Sequence, residues 1–162
     1  MATTTPNLGL VKPDYEDLAD IAVLNENSDT IDAAVKAVQD SVDATGSLVE
    51  VFPQAVTCAA SGWTQLANLE LGPGRWLVIV GGQFAQNGTG SRSLGHSTSD
   101  TTTPTGRIRA QAQAVANATT NISYSYFYTR ATTTTVYLWG AQNSGGTLSC
   151  SPWISAVRIA KA

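Results

Sequence analysis

Apolar residues recur in alternating steps of three and four between residues 21 and 42, and this spacing constrains the fold more than any other feature. A stripe of two apolar positions in seven is typical of a coiled-coil seam and is narrower than that of a helix lying on a globular core. β-branched residues at both seam positions favour three strands. We therefore expect a trimeric stem with a seam formed by Ile21, Leu24, Ile31, Val35, Val38 and Val42, and with the polar Ser28 at a seventh position.

The ends of this helix are marked by sequence signals. Pro13 and Asp14 are suitable for its start, and Gly46 is a natural C-terminal stop. Residues 1–13 contain prolines and a glycine and predict an extended arm. The alternative is a single amphipathic helix packed on the rest of the protein.

Charge divides the chain near residue 50. Residues 1–50 hold ten of the twelve acids and two lysines, for a net charge of −8, whereas residues 51–162 hold seven bases and two acids, for a net charge of +5. Charged residues make up 13% of the chain, about half of the roughly 25% usual for soluble proteins. We expect two parts: 1–50 as arm and stem, and 51–162 as a head.

The head has strand-like runs separated by turn signals. LGPG at 71–74, NGTG at 87–90 and NSGG at 143–146 are such signals. About seven strands without a helical pattern predict a mainly β fold, an antiparallel β-sandwich or jelly roll. The runs lie near 50–58, 63–70, 75–84, 106–116, 121–131, 133–142 and 151–160.

Two of the strand-like runs are apolar on both faces. Residues 75–80 and 136–139 lack the polar face that an antiparallel sandwich presents to water. Such a strand is either central with loops over it or packed on another copy. The second option predicts that the head, like the stem, is trimeric.

Residues 3–35 resemble a known family. TPNLGL at 5–10, KP at 12–13, DIAVLNEN at 20–27 and DTID at 29–32 are similar to the N-terminal module of phage tail fibre and minor tail proteins. The resemblance implies a short arm that leads into a coiled coil and attaches the fibre to tail or baseplate proteins. Ser28 departs from the apolar or aromatic residue expected there.

The head resembles, more loosely, the trimeric jelly roll of the tumour-necrosis-factor and complement type. The residues that carry this likeness are LGPGRWLV at 71–78 and ISAVRI at 154–159. Together the two resemblances imply a homotrimeric receptor-binding fibre protein of a virion tail, made in the host cytoplasm. Its N-terminal part would dock to the tail and its head would meet the cell surface.

Several kinds of chemistry are not predicted. We expect no catalytic residues, cofactor or metal, because the head holds only Glu70 and Asp100 as acids, and because His96 is the only histidine. Sparse positive charge argues against nucleic acid, and no run is long enough to enter a membrane. Cys58 and Cys150 are interpreted as buried thiols or, alternatively, as a disulfide.

The sequence favours binding over catalytic chemistry. Residues 85–104 show no strand signal and predict a long loop, either functional or merely solvated, in which His96 is an exposed loop residue. The alternating tyrosines could stack on sugar rings or form the trimer interface, and Arg107 and Arg109 share a face suited to phosphate. The candidate receptor-binding residues are Arg92, His96, Asp100, Arg107, Arg109, Tyr124, Tyr126 and Tyr128.

The sequence thus predicts adhesion to a surface polymer without catalysis. The charge of the head, about +15 in a trimer, favours an anionic saccharide or teichoic acid as host partner. The alternative is a purely structural virion protein, a spacer or decoration whose head only caps the trimer.

Overall fold

The computed structural model describes residues 3–12, 21–44, 46–100 and 109–161. The chain divides into two compact units, residues 1–43 and 44–162. The described residues are mainly β, with antiparallel sheets and one helix. In chain order the elements are β1 (Thr3–Thr4), β2 (Val11–Lys12), α1 (Ile21–Ala44), β3 (Leu48–Val51), β4 (Val56–Cys58), β5 (Trp63–Leu71), β6 (Gly74–Phe84), β7 (Ser91–Ser97), β8 (Ala110–Gln113), β9 (Thr120–Arg130), β10 (Thr134–Gln142) and β11 (Leu148–Ala160).

The N-terminal arm is a small hairpin, and the prediction of an extended segment is wrong. β1 and β2 pair antiparallel, and the Gly9 N–H donates to the Thr5 carbonyl at 3.0 Å. Gly9 has a φ of +66°, so it serves the turn instead of merely interrupting an extended chain. The Asn27 side chain binds the arm to the helix, because it accepts from the Val11 N–H at 3.0 Å and donates to the Val11 carbonyl at 2.9 Å.

Helix α1 runs unbroken from Ile21 to Ala44, and its predicted start in residues 13–20 lies outside the described residues. The six predicted apolar seam side chains are all exposed, by 44% to 73%. Ser28 is satisfied within the helix, since its hydroxyl donates to the Leu24 carbonyl at 2.9 Å. The helix therefore presents an apolar stripe that is interrupted at Ser28.

The part of the chain that the structure describes contains no helix that is long and apolar enough to cross a bilayer.

The second unit contains two antiparallel sheets that face each other across one core, as in a β-sandwich. One sheet has the order β3-β11-β6-β9, with β4 also paired to β11, and the other has the order β5-β10-β7-β8. Alternate side chains of each sheet point into the core, where they are buried. The core includes Leu71, Val78, Val80, Phe84, Leu94, Val136, Leu138 and Ile154, each at most 1% exposed.

An apolar row crosses the outer face of the five-stranded sheet. Val157 of β11 pairs with Leu48 of β3 and with Leu77 of β6, and Leu77 pairs in turn with Phe127 of β9. Leu48 and Phe127 are 58% and 63% exposed. Both faces of β6 are therefore apolar, as the sequence predicts. One face packs in the core, and the other lies on the outer surface of the sheet.

Two strand predictions are wrong in detail. Residues 85–104 are not one long loop, because they contain β7. Its inward side chains are Arg92, Leu94 and His96, so the usual alternation of apolar and polar residues is absent from the sequence. The predicted strand 50–58 is two strands, β3 and β4, with Pro53 in the break between them.

Cys58 and Cys150 are free buried thiols. They lie on the paired strands β4 and β11 but not opposite each other, since Cys58 pairs with Leu148 and Cys150 with Val56. The two thiols are close enough to share a side-chain hydrogen bond, and both remain free. The interpretation as two buried thiols is therefore the one that the structure supports.

Candidate functional site

The edge of the sandwich between β8 and β9 contains a cleft of about 390 Å³. Strand β8 is four residues long and pairs with residues 91–94 of β7, whereas β9 is eleven residues long. His96 lies beyond the part of β7 that pairs with β8, and it packs beside the inward side chains of β9. The lining residues are His96, Arg109, Tyr124, Ser125, Tyr126, Phe127 and Tyr128.

The tyrosines of β9 form one wall of this cleft. Tyr124 and Tyr126 pair with Val80 and Val78 of β6, both in the core, so the tyrosine row faces the inside of the sandwich. Tyr128 is 8% exposed, and the other two are half-buried. The shared face predicted from their alternation is confirmed, and this face is not the outer surface of the sheet.

His96 packs on this wall, so the prediction of an exposed loop histidine is wrong. Its ring is parallel to that of Tyr126, with 3.8 Å between the centroids and 1° between the planes. The Tyr124 hydroxyl lies 3.0 Å from His96 Nδ1, and Tyr128 meets Tyr126 edge to face at 6.3 Å. The four rings form a continuous aromatic cluster, and the edge-to-face contact of Tyr128 with Tyr126 is a favoured aromatic geometry.

Burial keeps the groups of this cluster neutral. Loss of solvation, together with the nearby positive charge of Arg109, lowers the pKa of His96 to about 4. Burial also raises the pKa of Tyr124 and that of Tyr126 well above their ordinary value. At neutral pH the wall therefore offers hydroxyl and imidazole hydrogen-bonding groups without a charge.

We expect the imidazole of His96 to titrate near pH 4 instead of near the unperturbed value of about 6.5. Because the folded pKa lies below the unfolded one, the neutral ring's contribution to stability is complete above about pH 6.5 and is lost as the pH falls toward 4. The charged and titratable neighbours are Arg109, Tyr124 and Tyr126.

This titration can be followed by NMR, since the ring C–H signals of the only histidine need no assignment among several residues. A midpoint between pH 6 and 7 would contradict the packing of His96 against Tyr126. The variant His96→Gln is the control for stability. Its free energy of unfolding should fall less than that of the parent between pH 6.5 and pH 4, because it has no imidazole to protonate.

Arg109 stands at the margin of the cleft, just before β8. Its backbone N–H donates to the Leu94 carbonyl at 3.0 Å, which fixes the position of the residue beside β7. The side chain is exposed, and no carboxylate of a described residue lies within ion-pair distance of it. The cleft therefore has a cation available for a ligand.

The structure brings together five of the eight sequence-predicted binding residues: His96, Arg109, Tyr124, Tyr126 and Tyr128. Asp100 is exposed and does not line the cleft, and Arg107 lies outside the described residues. Ser125 and Phe127 also border the cleft, although they alternate with the tyrosines and belong to the outer face of β9, so the sequence pattern gives no signal for them.

The prediction that Arg92 contacts a receptor is wrong, because its side chain is fully buried. Nη1 donates to the carbonyls of Thr89 and Ser91 at 2.9 and 3.1 Å, and Nη2 donates to the carbonyl of Asn87 at 3.1 Å. Arg92 points inward because it shares a face of β7 with Leu94. Its role is to hold the turn before β7.

The described residues of the cleft carry groups suited to binding. None of the described lining residues is a carboxylate. Within the described ranges, no three His, Cys, Asp or Glu side chains are placed to hold a metal ion. The described lining offers an aromatic wall, neutral hydrogen-bonding groups and the cation of Arg109.

Comparisons with known proteins add little. No protein-family model matches the chain. No curated protein sequence matches it either. One similar solved structure is that of the infectious bursal disease virus Gx strain, with a TM-score of 0.46 and 14% identity over 69% of this chain and 33% of that chain. The chain thus spans about a third of that protein's length, and a likeness this weak carries no argument about fold or function.

Proposed function

We propose that this chain is a homotrimeric phage tail fibre or receptor-binding protein that attaches the virion to a host surface polymer without catalysis. The observation that carries this proposal is the exposed heptad seam of α1, which precedes a β-sandwich unit that has a cleft suited to binding. In this proposal residues 1–50 trimerise and dock to tail or baseplate proteins, and residues 51–162 bind the cell surface.

The coiled-coil stem is supported by the pattern of exposure on α1. Six aliphatic side chains at heptad spacing are exposed in one copy, and a surface of this kind is stabilised when copies pack their seams together. Leu8 of the arm and the seam residues Ile31, Val35 and Val38 also line an apolar groove of about 490 Å³. The occupant that we propose for this groove is a second copy of the helix.

The jelly-roll assignment of the head is supported by the strand order. Leaving β4 aside, each sheet has four strands, and the connections β5–β6, β6–β7, β8–β9, β9–β10 and β10–β11 pass from one sheet to the other. Two four-stranded antiparallel sheets with such crossings are typical of a jelly roll. The apolar row of Leu48, Leu77, Phe127 and Val157 supports contact between heads, since exposed apolar patches often mark interfaces.

Adhesion is tested by incubating fluorescently labelled full-length protein with a panel of bacterial strains. We expect saturable binding to a subset of strains, lost after periodate or acid removes surface polysaccharide and teichoic acid. No shortening of the polymer should accompany binding. Absence of adhesion to every strain would support the alternative of a structural spacer, and polymer turnover would contradict a non-catalytic role.

A further inference from the structure

One hydroxyl group in the cleft is left without a partner. The Tyr126 hydroxyl is buried, and no described residue accepts or donates a hydrogen bond to it. Tyr126 is the central ring of the cluster, between His96 on its face and Tyr128 at its edge. A buried hydroxyl without a hydrogen bond is costly, and buried polar groups in native proteins nearly always have one. A ligand hydroxyl in the cleft would provide the missing bond.

The hydroxyl groups of the two neighbouring tyrosines, Tyr124 and Tyr128, do have hydrogen-bond partners. The Tyr124 hydroxyl is already hydrogen-bonded to His96 Nδ1 at 3.0 Å, and Arg130 Nε donates to the Tyr128 hydroxyl at 3.0 Å. Of the three tyrosines in the row, the structure therefore leaves only the central hydroxyl unsatisfied within the described residues. This places the expected hydrogen bond at one atom.

Arg109 supplies the second feature of the site. It lines the same cleft as His96, Tyr124 and Tyr126, so its positive charge borders the tyrosine wall. The wall itself is neutral, and none of the described lining residues is an acid that could oppose the guanidinium. A guanidinium binds carboxylate and phosphate oxygens through two parallel hydrogen bonds. The cleft is therefore prepared for an anion beside an aromatic surface.

From these features we infer that the cleft binds one anionic sugar or polyol unit of a surface polymer. Arg109 contacts its carboxylate or phosphate, and the Tyr126 hydroxyl contacts one of its hydroxyl groups. The volume of about 390 Å³ fits a single unit of this kind and lies in the usual range of small-ligand sites. The aromatic wall packs on the apolar face of the unit. This inference rests on the proposed function and names the ligand chemistry of its binding site.

The test is calorimetric titration of the full-length protein with three purified polymers. Teichoic acid carries phosphodiesters, polygalacturonate carries carboxylates, and dextran is neutral. We expect at least one anionic polymer to bind tenfold or more tightly than dextran. If only teichoic acid binds, the group is a phosphodiester, and if only polygalacturonate binds, it is a carboxylate; either result supports the inference.

Variants locate the contacts. Arg109→Gln should weaken binding of the anionic polymer by about 10- to 100-fold and remove the preference over dextran, because it deletes a charge-assisted hydrogen bond. Tyr126→Phe removes one oxygen atom and should weaken binding about three- to tenfold. The matched controls are Lys161→Gln, an exposed cation near the C-terminus, and Tyr137→Phe, a half-exposed tyrosine of β10; both should bind as the parent does.

The outcomes separate the inference from the proposed function. If the parent protein adheres to cells while Arg109→Gln and Tyr126→Phe bind as it does, the cleft is not the site and the inference is overturned, but the adhesive function stands. Equal affinity for dextran and the anionic polymers also overturns it. If the parent protein adheres to no cell and binds no polymer, the proposed function fails as well.

Discussion

Replacing Val35 with aspartate is expected to convert the full-length protein from a trimer of about 51 kDa to a monomer of 16.9 kDa. Val35 occupies the centre of the apolar stripe and is 61% exposed in a single copy. In a three-stranded coil, the substitution would bury three carboxylates beside one another at the axis. Each buried charge without a partner costs several kcal/mol, which a stem of about three heptads cannot offset.

The control for this substitution is Ala37→Asp. Residue 37 lies on the same helix two positions away and outside the seam, and it is exposed. It adds the same charge, and its expected cost is limited to a loss of helix propensity of about 0.5–0.7 kcal/mol. Sedimentation equilibrium of both variants at low micromolar concentration makes the comparison. A Val35→Asp protein that is still trimeric would show that the stem does not hold the copies together.

Replacing Arg92 with alanine is expected to lower the free energy of unfolding by about 3–5 kcal/mol. The side chain is fully buried, and its guanidinium donates to the carbonyls of Asn87, Thr89 and Ser91. The substitution would leave a cavity under β7 and three carbonyls without their donors. Urea denaturation followed by tryptophan fluorescence measures the effect.

Arg75→Ala is the matched control for that measurement. Arg75 is exposed on β6, and its guanidinium lies 5.2 Å from the centre of the Phe127 ring. Its loss should cost about 0.5–1 kcal/mol, the value of an exposed cation–π contact. If Arg92→Ala were as stable as the parent but failed to bind the polymer, the structural role of Arg92 would be wrong and the surface role predicted from sequence would be right.

The features that sequence predicts well are those carried by regular spacing. The apolar period of residues 21–42 predicted a helix, and α1 covers this range. Alternation with turn residues predicted the long strands β5, β6, β9, β10 and β11 within a few residues. The period of the tyrosines also predicted that Tyr124, Tyr126 and Tyr128 share one face. These inferences depend only on the geometry of one element.

The features that sequence missed depend on partners distant in the chain. The sequence predicts a loop in place of strand β7, because the inward positions of this strand hold Arg92 and His96, whose polarity masks the alternation. What makes them acceptable inside the sandwich is the set of carbonyls around Arg92 and the tyrosine ring beside His96. Neither arrangement can be derived from local propensity, because the strand register that creates it is a property of the whole sheet.

At the candidate site, too, sequence predicts individual residues but not the contacts between distant segments. Sequence named His96, Arg109 and the three tyrosines as binding residues, but for separate reasons and in separate segments. They meet in one cleft because β7 and β8 lie in one sheet and β9 lies at the edge of the other, a relation that only the assembled sandwich creates. The unsatisfied Tyr126 hydroxyl is visible only after these elements are in place.

The most direct test of the account is the mass of the full-length chain in solution, measured by light scattering at low micromolar concentration. The account predicts about 51 kDa, three times the chain mass of 16.9 kDa. A mass of about 17 kDa would contradict the coiled-coil stem and, with it, the proposal of a trimeric fibre.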